Sequence, residues 1–494
     1  MEILHVSAEC YPYAKAGGLA DVVGTLPKYQ QQLGHFAKVV VPMHRTKFLY
    51  ENEWTVEHKG GFMMGNRHFE YTIIKEKTNK LNFDLYCVDI YGLLDRENIY
   101  SYDDDSERFT AFQIAVVDWL GHWEHKPDVV HVHDHHTGLI PFMMRYCYAY
   151  QHLASISTVL TIHNGQYQGW MSWDKSNYIP DWDTWQGGLL DWNNMINPLA
   201  CGIKCADRVT TVSPSYMDEL FTDANGLEQL FALEYRKCTG ILNGIDTIVW
   251  NPETDTYILD NFTIKEAESG KLLNKKKLCE DFKLDVKQPL FIYIGRLVGE
   301  KAADLLPQAI SDSLHQLGNK MNFLILGSGD PSVEEQLAGL TGYFAGYYNS
   351  RIGYNEKLSH QMYAGADFIL MPSRVEPCGL NQMYAMRYGT IPIVRSIGGL
   401  KDTVIDFGEP NARLDDPAGT DGSNAAGQGY GIRFNHASVW DITYSIHRAV
   451  ELYDDKEKLA AIRKQIMMID NSWEISAGKY INLYMSILQI ITTI

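Results

Sequence analysis

The chain has 494 residues, of which 45% are hydrophobic and 21% charged, with a formal net charge of −18. That length exceeds what one core supports and fits two large domains; the apolar share excludes intrinsic disorder. The acidic balance excludes a general nucleic-acid binder, which needs a surface excess of lysine and arginine.

The opening MEILHVSAEC has no basic region ahead of a long apolar run. No later apolar stretch reaches the roughly 18 residues of a membrane span, so a cytoplasmic protein with no membrane partner is expected. Short β-branched runs follow: EILHVSA, KVVVPM, DLYCVDI, DVVHVHD, STVLTIH and RVTTVS. Amphipathic helical stretches such as 106–122 and 138–152 lie between them, which predicts a parallel, doubly wound α/β sheet. In KAGGLADVV, Lys15 precedes the pair Gly17 and Gly18 at a predicted helix start. Glycines let a ligand approach the backbone there, and the helix amides can hold a diphosphate; the plain alternative is a tight turn with a solvated lysine.

The run HVHDHH at 131–136 mimics a metal site. On a strand, however, His131 and His133 point to one face and Asp134 to the other, so no shared metal centre is expected and Asp134 reads as a carboxylate that supports a neighbouring site residue or faces a bound acceptor. Trp170, Trp173, Trp182, Trp185 and Trp192 crowd an irregular stretch, where they can stack on the apolar faces of sugar rings or pack a core or a lid. The eight cysteines show no CxxC spacing, and Cys201 and Cys205, four apart in a predicted helix, read as buried thiols rather than ligands.

The rhythm pauses at NPETDTY, residues 251–257, and restarts with LFIYIGR, NFLILGSG, FILMPS and IPIVRS. This predicts a second doubly wound domain, with 1–250 and 251–471 as the two bodies and a final helix from Ser472 onward. GRLVGEK places Arg296 at a strand end and Lys301 in the next loop, where ligands of open α/β sheets bind and two cations can clamp a diphosphate. In SRVEPCGLNQMYAMRYGTIPIV, Glu376 sits at a strand end and the turn Pro377, Cys378, Gly379 leads into a helix whose first free amides include those of Leu380 and Asn381. SIGGLKDTV repeats the spacing of the first copy through Gly398, Gly399, Leu400 and Asp402. A Gly-, Asp- and Ser-rich stretch spans 415–429.

KAGGLADV, HVHDHHTGL, TIHN, ADRVTTVSPSY, LNGID with WNP, GRLVGEK, RIGYNE and SRVEPCGLNQMYAMRYGTIPIVRSIGGLKDTV occur in this order. On these motifs the chain resembles the glycogen and bacterial starch synthases, glycosyltransferase family 5, from Met1 to about Tyr484. The resemblance implies a GT-B fold, two Rossmann-like domains facing across a cleft, with the helix of 472–494 crossing back to complete the first. It implies transfer of α-D-glucose, with retention, from ADP-glucose or UDP-glucose to the non-reducing end of an α-1,4-glucan such as glycogen or starch, with no cofactor. Another retaining GT-B glucosyltransferase with a small acceptor, of sucrose or trehalose type, is the alternative.

It further implies that Lys15, Arg296 and Lys301 bind the donor phosphates, and that Glu376 with the backbone of Cys378, Gly379 and Leu380 holds the transferred glucose. His163 would lie by the anomeric centre, Asn164 would bind substrate or donor, Asp21 and Asn243 would lie near sugar hydroxyls or the acceptor, and Tyr354 against the base. The sequence departs from the family pattern at His135, where a tryptophan is usual, and at Ala302, where a glycine follows the lysine. Asn381 and Ile397 replace threonines, which puts the phosphate contacts near those two positions in question. Tyr384 stands where the wider superfamily often has a second glutamate, as synthases of this family do.

Overall fold

The computed structural model describes residues 1–408 and 429–493; most of the 415–429 stretch lies outside them. The chain divides into two compact units, Met1–Asn243 with Trp473–Ile494, and Gly244–Ser472.

The first unit is built on a nine-stranded sheet. Its strands are β1 (Glu2–Val6), β2 (Phe36–Pro42), β3 (Trp54–Met64), β4 (Arg67–Glu76), β5 (Asp84–Asp89), β6 (Val129–His133), β7 (Ser157–Ile162), β10 (Arg208–Thr211) and β11 (Cys238–Gly240); a two-stranded hairpin, β8 (Asp191–Trp192) and β9 (Met195–Ile196), stands apart. The order across the sheet is β11-β10-β7-β6-β1-β2-β5-β4-β3. Its central strands are parallel and buried on both faces, which is why they read as unbroken apolar runs. The sheet is not wholly parallel: β3 and β4 pair antiparallel with each other and β4 antiparallel with β5. A two-residue turn joins that hairpin, and Gly65 at φ 58° supplies its positive φ.

Register places His5 of β1 directly beside His131 of β6. On that face lie the helix Gly18–Gln32 and the final helix Trp473–Thr493. Ile3, Val22, Leu26, Val129, Val159, Trp473, Tyr480 and Tyr484 form one buried cluster there, so the C-terminal helix is part of the first unit's core. A polar chain runs through this apolar layer. Tyr484 Oη accepts from Gln30 Nε2 at 3.2 Å and bonds His131 Nδ1 at 2.7 Å, while His131 Nε2 reaches Thr161 Oγ1 at 2.6 Å.

The second unit has a six-stranded parallel sheet in the order β14-β13-β12-β15-β16-β17. The strands are β12 (Leu290–Ile294), β13 (Asn322–Gly327), β14 (Tyr348–Ile352), β15 (Phe368–Met371), β16 (Ile391–Arg395) and β17 (Ile432–Phe434). Polar groups also fix this core. Asp367 accepts from Lys275 at 2.7 Å and from the backbone amide of Leu290 at 2.8 Å, and it also pairs with Arg463. No helix among the described residues is long and apolar enough to cross a membrane.

Tyr484→Phe tests the polar seam under the last helix. It leaves Gln30 Nε2 and His131 Nδ1 buried without their shared partner, an omission that costs about 1–3 kcal/mol. Chemical denaturation should show that loss with an unchanged denaturant slope; wild-type stability would contradict a packed, hydrogen-bonded helix.

Candidate functional site

In the first unit Asp134 follows β6 and His163 and Asn164 follow β7, while Lys15, Gly17, Gly18 and Asp21 lie in the loop and helix after β1 and Asn243 follows β11. Gln30 Oε1 can only accept, so His5 Nε2 donates to it, at 2.8 Å. His5 Nδ1 then accepts from His133 Nε2 at 3.1 Å, and His133 Nδ1 accepts from His163 Nε2 at 3.0 Å. Each ring is neutral, because burial lowers every one of these pKa values: His5 to about 4, His163 to about 3, and His131 and His133 well below the ordinary value. The direction of the chain therefore sets His163 as the tautomer with hydrogen on Nε2 and a lone pair on Nδ1.

Asp134 follows β6 with φ 58°, a region a non-glycine residue occupies only when its surroundings over-determine it. Its backbone amide donates to Thr161 O at 2.9 Å, and Oδ1 accepts from the His163 amide at 2.6 Å. Burial raises its pKa to about 7, against the lowering effect of the His163 and Asn164 amides. Asn164 Oδ1 accepts from the Gln166 amide at 3.0 Å and holds the loop after β7. Asn243 is buried, and its Oδ1 has no partner among the described residues.

The KAGGL loop holds a group that sequence reasoning missed. Glu9 is buried, and its Oε2 accepts from the amides of Ala16 at 2.5 Å and Gly17 at 2.9 Å, while Oε1 accepts from Tyr100 Oη at 2.6 Å. The anion at those two amides is thus the chain's own carboxylate. Lys15 is half-exposed and pairs with Asp21 at 2.7 Å. A side chain at Gly17 or Gly18 would meet nothing within 4 Å, so this backbone is open to approach. The only signal for Glu9 in the sequence is an acid shortly before a helix start.

The second copy of the motif behaves differently. A Cβ at Gly398 would lie 2.0 Å from Glu376 O, and one at Gly399 2.1 Å from Cys378 O. These glycines let the helix Gly398–Thr403 press against the turn carrying Glu376, Cys378 and Gly379, and Gly379 itself sits at φ 73°. Glu376 is buried, receives both of Lys301's contacts at 2.7 and 2.6 Å, and accepts from Ser373 Oγ at 2.7 Å. Arg296 is exposed and pairs with Glu300 at 3.1 Å.

Ala302, which replaces the family's glycine, adopts φ 52°, so the departure introduces a strained position right after Lys301. Asn381 Nδ2 donates to Ile294 O at 2.7 Å, so its side chain ties the helix Asn381–Arg387, which Leu380 precedes, to the end of β12. Tyr354 is exposed beyond β14, with its hydroxyl 3.3 Å from Glu356.

The tryptophans divide. Trp173 Nε1 donates to Asp191 and Trp192 Nε1 to Gly226 O, while Trp182 packs edge-on against Phe142. Trp185, 90% exposed, and Trp170, 40% exposed, are the two left facing solvent.

Residues 2–233 match the family model "Starch synthase catalytic domain", and residues 274–416 match "Glycosyl transferases group 1". A glycogen synthase from Flavobacterium johnsoniae is 53% identical over 489 residues, 99% of this chain and 100% of that protein. One from Streptococcus sanguinis is 37% identical over 504 residues, again 99% and 100%. Among solved structures, the catalytic domain of starch synthase IV from Arabidopsis thaliana bound to ADP and acarbose superposes with a TM-score of 0.85 at 31% identity, covering 98% of each chain.

Stability should depend on pH in two opposed ways. The buried histidines contribute stability above their unfolded pKa of about 6.5 and lose it as pH falls towards their folded values. Asp134, with its folded pKa raised from 3.8 to about 7, contributes fully below the lower value and loses that contribution as pH rises through the higher. Asp134→Asn should therefore gain unfolding temperature relative to wild type between pH 5 and pH 8. An equal difference at both pH values would contradict the buried, proton-retaining carboxyl.

Proposed function

From the premise that the chain is a glycosyltransferase of the glycogen and starch synthase family, with the two Rossmann-like sheets of the GT-B fold, we propose that it moves glucose from ADP-glucose to the non-reducing end of an α-1,4-glucan with retention. The observation that carries this reading is the Lys301–Glu376 pair, braced by Ser373, beyond the carboxyl ends of parallel strands, where open α/β sheets bind ligands. ADP is favoured over UDP because the starch synthase structure similar to this chain holds ADP; its acarbose supports a glucan acceptor. Eight free cysteines suit a reducing cytoplasm.

In this reading Arg296 and Lys301 take the donor diphosphate, Lys15 adds a further cation, and Tyr354 flanks the base. Glu376 and the backbone of Cys378 to Leu380 receive the glucose hydroxyls, with Lys301 turning from carboxylate to phosphate when donor arrives. His163, Asn164, Asp134, Asn243 and Asp21 serve the transferred sugar and the acceptor. The bond from the anomeric carbon to the phosphate oxygen breaks as the acceptor's 4-hydroxyl attacks from the same face. A phosphate oxygen takes the acceptor proton, so no enzyme nucleophile is needed. Cations aimed at the leaving group act because its charge grows in the transition state.

The test is transfer onto glycogen from ADP-glucose and UDP-glucose, with the product linkage read by NMR. New α-1,4 linkages, with ADP-glucose the better donor, are expected; transfer to fructose or glucose phosphate instead would overturn the glucan assignment. Lys301→Ala should lower turnover about a hundred- to a thousand-fold, the usual effect of losing one such group. Near-normal turnover would remove Lys301 from the leaving-group site.

A further inference from the structure

Among the described residues, two sets of side chains bring three potential metal ligands within 4.8 Å of one another: His5, His131 and His133, and His58, Asp118 and His122. The first set carries no proposal. Every ring nitrogen in it is already hydrogen-bonded, to Gln30, His133, Tyr484, Thr161 or His163, and a cation would have to break a satisfied buried network.

The second set is built differently. His58 lies on β3 just past a β-bulge, where the register shifts between Val56 and His58. Such bulges re-aim side chains, and His58 Nε2 is buried with no partner among the described residues. Asp118 and His122 stand four apart at the end of the helix Asp105–Gly121, with His122 as its C-cap, and so share one helix face. The His58 and His122 ring centroids are 4.9 Å apart.

His122 Nδ1 lies 2.8 Å from the Asp118 backbone carbonyl. That oxygen can only accept, so Nδ1 carries the hydrogen and a neutral ring turns its Nε2 lone pair outward. Asp118 Oδ2 accepts from Tyr71 Oη at 2.6 Å, and the Tyr150 hydroxyl also bonds this carboxylate, so two phenols fix its orientation beside the imidazoles. A histidine that donates its second nitrogen to a carbonyl, beside a carboxylate oriented by a hydroxyl, is the support that metal ligands usually have.

We propose that His58, Asp118 and His122 form a binding site for a zinc-class divalent cation, which clamps the β3–β4 hairpin to the helix Asp105–Gly121. Two imidazoles and one carboxylate suit zinc better than magnesium or calcium, which prefer all-oxygen shells. Bonds of about 2.0–2.2 Å require only that the three ligand atoms draw in by roughly an ångström, and the fourth position stays open to water. The hairpin forms the edge of the sheet, so the clamp sits where the sheet has strand pairing on one side only.

The test uses the full-length, untagged protein, stripped with chelator and dialysed, then titrated with Zn2+ by calorimetry and followed by thermal unfolding. One equivalent should bind and raise the unfolding midpoint by about 3 °C, whereas Mg2+ leaves it unchanged. His122→Ala changes an exposed helix end and should fold normally. It should weaken zinc binding at least tenfold and abolish the thermal shift, and His58→Ala should do the same. Co2+ in place of zinc should give a tetrahedral absorption band in wild type alone. Zinc binding of equal strength in both variants would place the ion elsewhere and overturn the proposal, as would a wild type that binds no zinc.

Discussion

The constraint on which the first unit depends is directional: a row of buried, neutral imidazoles can be satisfied only if each donates to the next in one sense. Gln30 anchors that sense from the first helix, His5 carries it through β1, His133 through the end of β6, and His163 receives it after β7. Tyr484 brings the C-terminal helix into the same network through Gln30 and His131. A fully paired buried network fixes one arrangement and is costly to break at any member. The helix at the end of the chain and the His163 imidazole after β7 are thereby held in one structure.

The second unit solves a different problem with charge. Its core is set by Asp367 between Lys275 and Arg463, and the turns beyond β12 and β15 repeat the device with Glu376 against Lys301. Pairing holds a buried carboxylate and a lysine in one arrangement. Glycines fix where the pair stands, since only residues without a side chain let the helix Gly398–Thr403 reach Glu376 O and Cys378 O. The first copy of the same GGL motif leaves its glycines open and fills its amides with Glu9. One sequence pattern thus serves backbone contact in one unit and an exposed loop in the other.

The central strands were legible because burial on both faces leaves continuous apolar runs, and the alternation of HVHDHH placed His131 and His133 on one face, as their stacked rings 4.3 Å apart show. The hairpin of β3 and β4 was not legible: WTVEHKGGFMM is half exposed and lies at a sheet edge, so its period is weak. The edge strand β14, YNSRI, is polar for the same reason. Charged groups at strand ends could be chosen from the sequence, but their partners could not. Glu9, Gln30, Ser373 and Tyr484 carry no local pattern, and Gln30 meets Tyr484 across 454 positions. No local pattern separates Trp182, packed on Phe142, from the exposed Trp185, because both stand in the same irregular stretch.

The most direct test of this account is the tautomer of His163, read from its ring nitrogens by 15N–1H correlation NMR at neutral pH. The chain anchored at Gln30 predicts a single neutral form with hydrogen on Nε2 and none on Nδ1, and predicts that Gln30→Leu replaces it by a mixture. A wild-type ring protonated on Nδ1, or already a mixture, would contradict it.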